Sequence, residues 1–239
     1  MTNILKGKKA IVVGASGGMG GAVSVALSRE GVSCALVGRN EEKLAEIAGK
    51  CNEVGDLAFP MIFDISDFQS IQGMINDAIG KLGGLNYLIN FAGVHKRGKA
   101  HEADMDAWDA MLDTNLRATY HLARYALPEI NKSPGGAIVK IGSLGVASAD
   151  GGIHMAGTHA IQGYLKAVFE DVREFGTKVC TIRPGFVKTS MSMSERLDSD
   201  LMIQPEDIAK SVLFVLTMPG TTCPTDIELR PQRSPYKQG

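Results

Sequence analysis

The stretch AIVVGASGGMG, residues 10–20, decides the fold of this chain. Its first four residues are apolar, which is typical of a short strand that is buried on both faces. Glycines follow at positions 14, 18 and 20 with the spacing GxxxGxG, and residues 22–30 have the composition of a helix. A glycine-rich loop between a strand and a helix lets the backbone turn sharply and leaves the first N–H groups of the helix unpaired. The stretch therefore predicts the first βα unit of an α/β fold.

The alternation of apolar and amphipathic stretches continues along the rest of the chain. Further apolar runs predict strands at 32–37, 57–63, 85–89, 137–141, 179–183 and 226–229. Amphipathic stretches between them predict helices at 41–52, 68–82, 105–130, 157–174 and 205–216. Repeated strand–helix–strand units need right-handed crossovers and produce a parallel sheet covered by helices on both faces. Because no linker interrupts the pattern, we expect a single three-layer, doubly wound α/β domain over residues 1–239.

The composition excludes several classes of protein. The 239 residues are 44% hydrophobic and 21% charged, and the net charge is -1, which argues against disorder and against nucleic acid as a partner. No apolar run reaches the roughly 20 residues of a membrane span, and the first nine residues lack the apolar core of a signal peptide. The four cysteines lie far apart without a CxxC pair, so we expect reduced thiols, no zinc cluster and a cytoplasmic location.

Five further motifs follow the glycine loop, most of them at the carboxyl ends of the predicted strands, where such sheets bind ligands. They are DI at 64–65, NFAG at 90–93, TNL at 114–116, IGS at 141–143 and RPGFVKT at 183–189. In this order, and together with GxxxGxG, they resemble the motifs of the short-chain dehydrogenase/reductase family over nearly the whole chain. The resemblance implies a Rossmann-type fold, a bound nicotinamide dinucleotide and an oxidoreductase activity.

The resemblance also implies which residues contact the cofactor. They are Gly14, Ser16, Gly17, Gly18, Met19, Gly20, Arg39, Asn40, Asp64, Ile65, Asn90, Ala92, Gly93, His159, Pro184, Gly185, Val187 and Thr189. After the second strand, the sequence VGRN has no acidic side chain for a free ribose 2′-OH, and Arg39 offers a planar guanidinium to a 2′-phosphate. Ser16 and Asn40 can add hydrogen bonds, so we expect NADP(H) rather than NAD(H). The alternative is that Arg39, with Glu41 and Glu42 close behind it, is a solvated surface charge.

The expected catalytic residues match the family only in part. Its reductases use a Tyr as general acid with a Lys four residues later, assisted by a Ser and an Asn. Ser143 and Asn115 occupy the last two positions, whereas Met155 stands where the Tyr is expected and His159 where the Lys is expected. A methionine has no proton to donate. His159, or more weakly His154, is then the candidate proton donor, because a pKa of about 6.5 suits proton transfer near neutral pH.

A nearby tyrosine does not restore the usual pair. Tyr164 lies nine residues after Met155, and nine residues turn a helix by about half a circle, so Tyr164 is expected to face away. Each histidine also has an alternative reading, His154 as a loop residue and His159 as a helix residue that fills the vacated space. Ser143 at a strand end and Asn115 in a helix can likewise serve packing alone.

Three functions remain open. The first is an NADP(H)-dependent oxidoreductase with an atypical proton donor, acting on a small carbonyl, enone or imine. The second is a catalytically inactive nucleotide-binding or partner subunit, and the third is a non-redox enzyme on the same fold.

Two regions bear on the substrate and on assembly. The resemblance implies a substrate lid at about 189–203, whose methionines either adapt to apolar ligands or pack the lid onto the core. Residues 94–103 are basic and either attract an acidic substrate or form a solvated face. By analogy with the family we expect a homodimer or homotetramer, or a hetero-oligomer with an active paralogue if the catalytic pair is lost.

Overall fold

Seven parallel strands form the central sheet of the protein. The computed structural model describes residues 3–145 and 151–237. The strands are β1 (Lys9–Val13), β2 (Ser33–Gly38), β3 (Ala58–Ile62), β4 (Tyr87–Asn90), β5 (Ala137–Ile141), β6 (Lys178–Pro184) and β7 (Asp226–Leu229). Their order across the sheet is β3-β2-β1-β4-β5-β6-β7. The order reverses between β1 and β4, and sheets of this kind bind their ligands at that crevice. The predicted doubly wound parallel α/β fold is confirmed.

Helices cover both faces of the sheet. They are α1 (Gly18–Arg29), α2 (Glu41–Val54), α3 (Ile71–Leu82), α4 (Met105–Leu112), α5 (Ala118–Ile130), α6 (Gly152–Val172) and α7 (Pro205–Thr217). The core is divided by the sheet: Ala10 and Val12 pack with α1, α2 and α7, whereas Ile11 and Val13 pack with α3, α5 and α6. Because both faces of β1 are covered, its side chains are apolar without alternation, as the sequence indicated.

The helix expected over 105–130 differs from the structure. A π-helical segment, Asp113–Arg117, separates α4 from α5. The hydroxyl of Thr119 donates a hydrogen bond of 2.7 Å to the carbonyl of Asn115. The side chain of Asn115 bonds to the backbone of Val94, which follows β4, instead of pointing to solvent. The bond between Asn115 and Val94 is tertiary and accompanies the wide turn, and hydrophobic periodicity carries no information about it.

Two helix starts also differ from the sequence prediction. The first helix begins at Gly18, inside the glycine-rich stretch, so its opening N–H groups belong to the predicted loop. The sixth begins at Gly152, five residues before the expected start, so Met155 lies in its first turn. Glycine has a low helix propensity, and tertiary packing overrides it at both places.

None of the described helices is long and apolar enough to cross a membrane. The described residues also contain no group of three or more His, Cys, Asp or Glu side chains arranged to hold a metal ion. All four cysteines are free thiols, three of them buried, and burial raises the pKa of Cys34 to about 12.

Candidate functional site

The glycine turn after β1 is built so that only glycine fits at two of its positions. Gly14 has a φ of +79°, in the left-handed region that favours glycine, and a Cβ atom there would lie 3.0 Å from the amide nitrogen of Ala92. A Cβ atom on Gly20 would lie 2.4 Å from the carbonyl oxygen of Gly14. No side chain of the described residues caps α1, so the first N–H groups of this helix are available to an anion.

The chain segment opposite this turn begins at Thr189. A Cβ atom on Gly18 would lie 3.4 Å from Cγ2 of Thr189, so the start of α1 faces the start of the segment 189–203. The base of that segment is held by backbone bonds from Lys188 to Ile203 and from Ile203 to Phe186. Pro184 ends β6, and the N–H of Gly185 donates a hydrogen bond to the carbonyl of Leu229 in β7. The turn and this segment form two walls of a cleft at the carboxyl edge of the sheet.

A cationic side chain lies at the end of β2. The Arg39 side chain is 73% exposed and approaches Asp64 no closer than 3.7 Å, so this exposed ion pair is weak. The Ser16 hydroxyl lies close by, since a Cβ atom on Gly38 would be 3.0 Å from it. The side-chain oxygen of Asn40 accepts a hydrogen bond of 2.9 Å from the N–H of Lys43 and caps α2. The Arg39 guanidinium therefore remains available to a ligand, whereas the Asn40 oxygen is already used.

The end of β3 supplies one acidic group and one apolar group. Asp64 accepts hydrogen bonds from the N–H and the hydroxyl of Ser66 at 3.0 and 2.9 Å. These bonds, and to a lesser extent Arg39, hold the pKa of the Asp64 carboxyl below its usual range. Ile65 is buried in the core layer of α3. Any cofactor contact by Ile65 would therefore involve its backbone or the edge of its side chain.

The turn after β4 is held from inside the protein. The buried side chain of Asn90 accepts a hydrogen bond of 2.9 Å from the N–H of Ala92 and donates one of 3.2 Å to the hydroxyl of Thr119. A Cβ atom on Gly93 would lie 3.4 Å from Oδ1 of Asn115. Asn90 is therefore a structural residue of this turn, whose Ala92 also contacts the glycine turn.

One residue of the site was missed by the sequence analysis. Lys140 lies beside Asn90 in the register of β5, is 2% exposed, and donates a hydrogen bond of 2.6 Å from Nζ to the carbonyl of Ala92. Burial lowers the pKa of Lys140 to about 7. The sequence does contain a sign of this residue, because a lysine interrupts the otherwise apolar run AIVKI. Lysine is almost never fully buried without a partner, so a lysine in a buried strand indicates a specific contact.

The loop after β5 brings Ser143 near the first turns of α6. Ser143 is half-buried, two residues beyond the end of the strand. Gly145 has a φ of +60°, and a Cβ atom there would lie 3.4 Å from Cε1 of His159. The ring of His159 is exposed, and its Nδ1 lies 2.9 Å from the carbonyl of Met155. In a neutral ring this contact places the proton on Nδ1.

His154, in the first turn of α6, lies against His95 of the loop after β4. The rings of His154 and His95 are tilted, with centroids 4.3 Å apart. Burial, and then the charges of His95 and Arg97, lower the pKa of His154. Nδ1 of His154 is buried, and the described part of the chain offers it no hydrogen-bond partner. Tyr164, farther along α6, contacts Tyr120 of α5, with ring centroids 6.3 Å apart.

Comparison with known proteins extends these observations to the whole chain. The short chain dehydrogenase family pattern matches residues 8–200. An uncharacterized oxidoreductase from Staphylococcus aureus (strain USA300) is 30% identical over 230 residues, which cover 95% of this chain and 99% of the relative. An uncharacterized oxidoreductase from Staphylococcus epidermidis is 30% identical over 235 residues, with 95% and 98% covered.

Solved structures agree with the family pattern. A short chain dehydrogenase from Burkholderia cenocepacia J2315, in complex with NADP, has 25% identity and a TM-score of 0.88, with 95% of this chain and 97% of that one covered. A short-chain dehydrogenase/reductase from Serratia marcescens BCRC 10948 has 25% identity and a TM-score of 0.88, with 95% and 98% covered. The sheet order, the glycine turn at its reversal and these matches show that the chain belongs to the short-chain dehydrogenase family of oxidoreductases.

Proposed function

We propose that the protein is an NADP(H)-dependent oxidoreductase that acts on a small carbonyl, enone or imine. The observation that carries the proposal is the pairing of an uncapped α1 N-terminus with an exposed Arg39 at the same edge of the sheet. The first attracts a pyrophosphate, and the second can bind a 2′-phosphate through two parallel hydrogen bonds. The Burkholderia relative, whose structure contains NADP, supports the same choice.

The residues present fit a dinucleotide along the cleft. Gly14 and Gly20 leave no room for side chains, and Gly18 and Thr189 form the two walls. The turn after β4 and the loop after β5 continue the cleft toward Ser143. When bound, the dinucleotide would supply or accept the hydride. The protein orients it, excludes water and holds the proton that the substrate takes up.

The proton donor is the unusual part of the proposal. In this chain Met155 and His159 stand at the positions of the family's Tyr and Lys. We assign the proton to His159, because its ring lies beside the loop that carries Ser143: a Cβ atom on Gly145 would be 3.4 Å from Cε1 of His159. His154 is the alternative donor. Ser143 would polarise the substrate oxygen or nitrogen through its hydroxyl, and Asn115 would maintain the shape of the site through its bonds to Val94.

Two further parts follow from the same proposal. The segment 189–203, with Met191 and Met193 exposed at 69% and 57%, would act as an apolar lid over the substrate. Two copies would assemble through α5 and α6, where Tyr120 is exposed at 36%. The active species would then be a homodimer or a homotetramer.

Cofactor binding tests the proposal directly. We would titrate the protein with NADPH and NADH in parallel and compare Arg39→Ala with Lys43→Ala, which removes an exposed cation four residues away. Arg39→Ala should lower the affinity for NADPH about 10- to 100-fold, the value of one charged hydrogen-bonding group, and leave NADH binding unchanged. Equal affinity for the two cofactors would overturn the NADP(H) assignment, and no binding of either would overturn the function.

An inactive subunit is the second candidate function. It is favoured by Met155, which carries no proton, and by the contact of His159 Nδ1 with a backbone carbonyl. NADPH consumption with small carbonyls, enones and imines between pH 6 and 9 separates the candidates. Turnover that is lost in Ser143→Ala supports the enzyme. Tight NADPH binding without turnover supports the subunit, and product formation without a net change in NADPH supports non-redox chemistry.

A further inference from the structure

The side chain of Lys140 is buried beside the turn after β4, and no carboxylate among the described residues forms an ion pair with it. Lys140 is 2% exposed, and its Nζ has one hydrogen bond among the described residues, to the carbonyl of Ala92. An ammonium group has three donors, so two of them have no partner within residues 3–145 and 151–237 when the group is charged. Burying an unpaired ammonium is costly, and the usual response is loss of the proton.

We propose that Lys140 is a positioning residue of the cofactor site that holds the turn after β4 through the Ala92 carbonyl and whose protonation is coupled to the redox state of the bound nicotinamide. The inference rests on the proposed function, because it requires a nicotinamide dinucleotide in the cleft.

Ala92 lies on the path that a dinucleotide would take through the cleft. On one side, its amide nitrogen would lie 3.0 Å from a Cβ atom on Gly14, in the glycine turn. On the other, the next residue, Gly93, packs against Asn115. A dinucleotide that runs from the glycine turn to the reacting end must pass this turn. Lys140 donates a hydrogen bond to the Ala92 carbonyl of this turn, and it lies three residues before Ser143 in the chain.

The oxidised and reduced forms of the cofactor differ in charge, and a protonated Lys140 would distinguish them. The oxidised nicotinamide ring has a positive charge that the reduced ring lacks, while the phosphates are the same in both. A protonated Lys140 therefore repels only the oxidised form. Two unit charges roughly 10 Å apart at an effective dielectric constant of about 20 would repel by an energy that is on the order of tenfold in binding. By linkage, the pKa of Lys140 must be higher with the reduced form bound than with the oxidised form bound.

Other charged groups around Lys140 do not account for this coupling. Its strand neighbours in β4 and β6 are Asn90 and Thr181, which are uncharged. The helical layer on this face comes from α3, α5 and α6. The titratable side chains on these elements, none of which is a cause of the lowered pKa of Lys140, are Tyr87, Lys178, Cys180, Arg183, Asp77, Lys81, Tyr120, His121, Arg124, Tyr125, Glu129, His154, His159, Tyr164, Lys166, Glu170 and Asp171. Burial is the only cause of the lowered pKa of Lys140, and Arg183 is already paired with Asp226 at 2.8 Å.

The experiment measures the affinities for NADPH and NADP⁺ at pH 6 and pH 9 in the full-length protein. It compares the unchanged protein with Lys140→Met, which replaces the lysine by an unbranched, uncharged side chain one atom shorter, and with Lys140→Arg, which keeps a charge that does not titrate. The matched control is Lys166→Met, which removes an exposed lysine of α6. A second measurement follows the ¹³Cε signals of the lysines through a pH titration with each cofactor bound.

The expected result is a ratio of Kd(NADP⁺) to Kd(NADPH) that falls about tenfold from pH 6 to pH 9. The fall should persist in Lys166→Met and be absent in Lys140→Met and Lys140→Arg. The lysine signal with the lowest titration midpoint should shift upward when NADPH replaces NADP⁺. Binding with a constant ratio, or the same fall in Lys140→Met, would overturn the coupling and leave the proposed function standing. Failure to bind either cofactor would overturn both.

If Lys140→Met does not fold, the ¹³Cε titration of the unchanged protein decides the question. A lysine with a midpoint well below the others that moves between the two cofactor complexes supports the proposal. A midpoint that stays the same in both complexes overturns it.

Discussion

The side chain of Asn115 and the backbone of Val94 exchange two hydrogen bonds, each 2.8 Å long. Val94 follows the turn after β4, and Asn115 lies in the π-helical segment between α4 and α5. The pair therefore joins the widened helix to the end of a central strand. Both the oxygen and the nitrogen of the amide are used, so Asn115 shapes the site through the backbone that it holds.

Replacing Asn115 by alanine should destabilise both the fold and the site. The variant removes two hydrogen bonds and leaves the backbone groups of Val94 unpaired, which costs about 2 kcal/mol of the free energy of unfolding. Because the turn after β4 then loses its attachment, the affinity for NADPH should fall as well. Urea unfolding measures the first effect and a cofactor titration the second.

The chain offers a matched control for this variant. Asn52 makes the same two-bond exchange with the backbone of Ala58, at 3.0 and 2.7 Å, at the start of β3. Asn52→Ala should cost a similar free energy of unfolding and leave NADPH binding unchanged at a temperature where both variants are folded. Equal loss of NADPH affinity in the two variants would contradict the role of Asn115 in the site.

Gly20→Ala should damage the glycine turn itself. The new Cβ atom would lie 2.4 Å from the carbonyl oxygen of Gly14, a contact that backbone movement alone can relieve. We expect a loss of at least about 2 kcal/mol in the free energy of unfolding and a large loss of NADPH affinity. Gly49→Ala is the control, since a Cβ atom on this exposed residue of α2 meets nothing within 4 Å. That variant should gain about 0.5–1 kcal/mol and bind NADPH normally.

The sequence was sufficient for the sheet and for the loops that line the cleft. The run AIVV and its counterparts are apolar on both faces because helices cover both sides of β1, and the glycines at 14 and 20 are required by contacts of 3.0 and 2.4 Å. Such signals are local: each depends on the strand and the turn that carry it. For this reason the fold and the positions of the loops at this edge of the sheet were predictable.

The features that could not be predicted depend on long-range hydrogen bonds. The π-helical segment accompanies the bonds of Asn115 to Val94, which lies 21 residues earlier in the chain. The partner of Lys140 is the carbonyl of Ala92, 48 residues earlier. Neither partner can be identified from periodicity. The lysine itself was visible within an apolar strand, but its burial depends on the helices that pack over it.

Lys140 should make the stability of the protein rise with pH. Its pKa is lowered from 10.5 to about 7, so between these values the unfolded chain holds a proton that the folded chain lacks. The free energy of unfolding therefore rises with pH in this window, by about 2 kcal/mol from pH 7 to pH 9. Below pH 7 both states are protonated and the destabilisation by this group is complete. Urea unfolding at the two pH values should show the rise in Lys166→Met and not in Lys140→Met. The same slope in both variants would contradict the burial of an unpaired charge.

His159→Gln should separate the proton donor from the residues that merely surround it. Glutamine keeps a polar side chain of similar size but cannot deliver a proton, so kcat should fall by about 10²-fold or more, the usual contribution of a general acid. NADPH affinity should change little, because the glycine turn and Arg39 supply most of the binding. His154→Gln should lower kcat less than tenfold if the assignment to His159 is correct. His121→Gln, on α5 against Phe68 and Tyr120, is the control and should leave kcat unchanged. A greater loss in His154→Gln than in His159→Gln would transfer the role to His154, whose buried Nδ1 lacks a described hydrogen-bond partner.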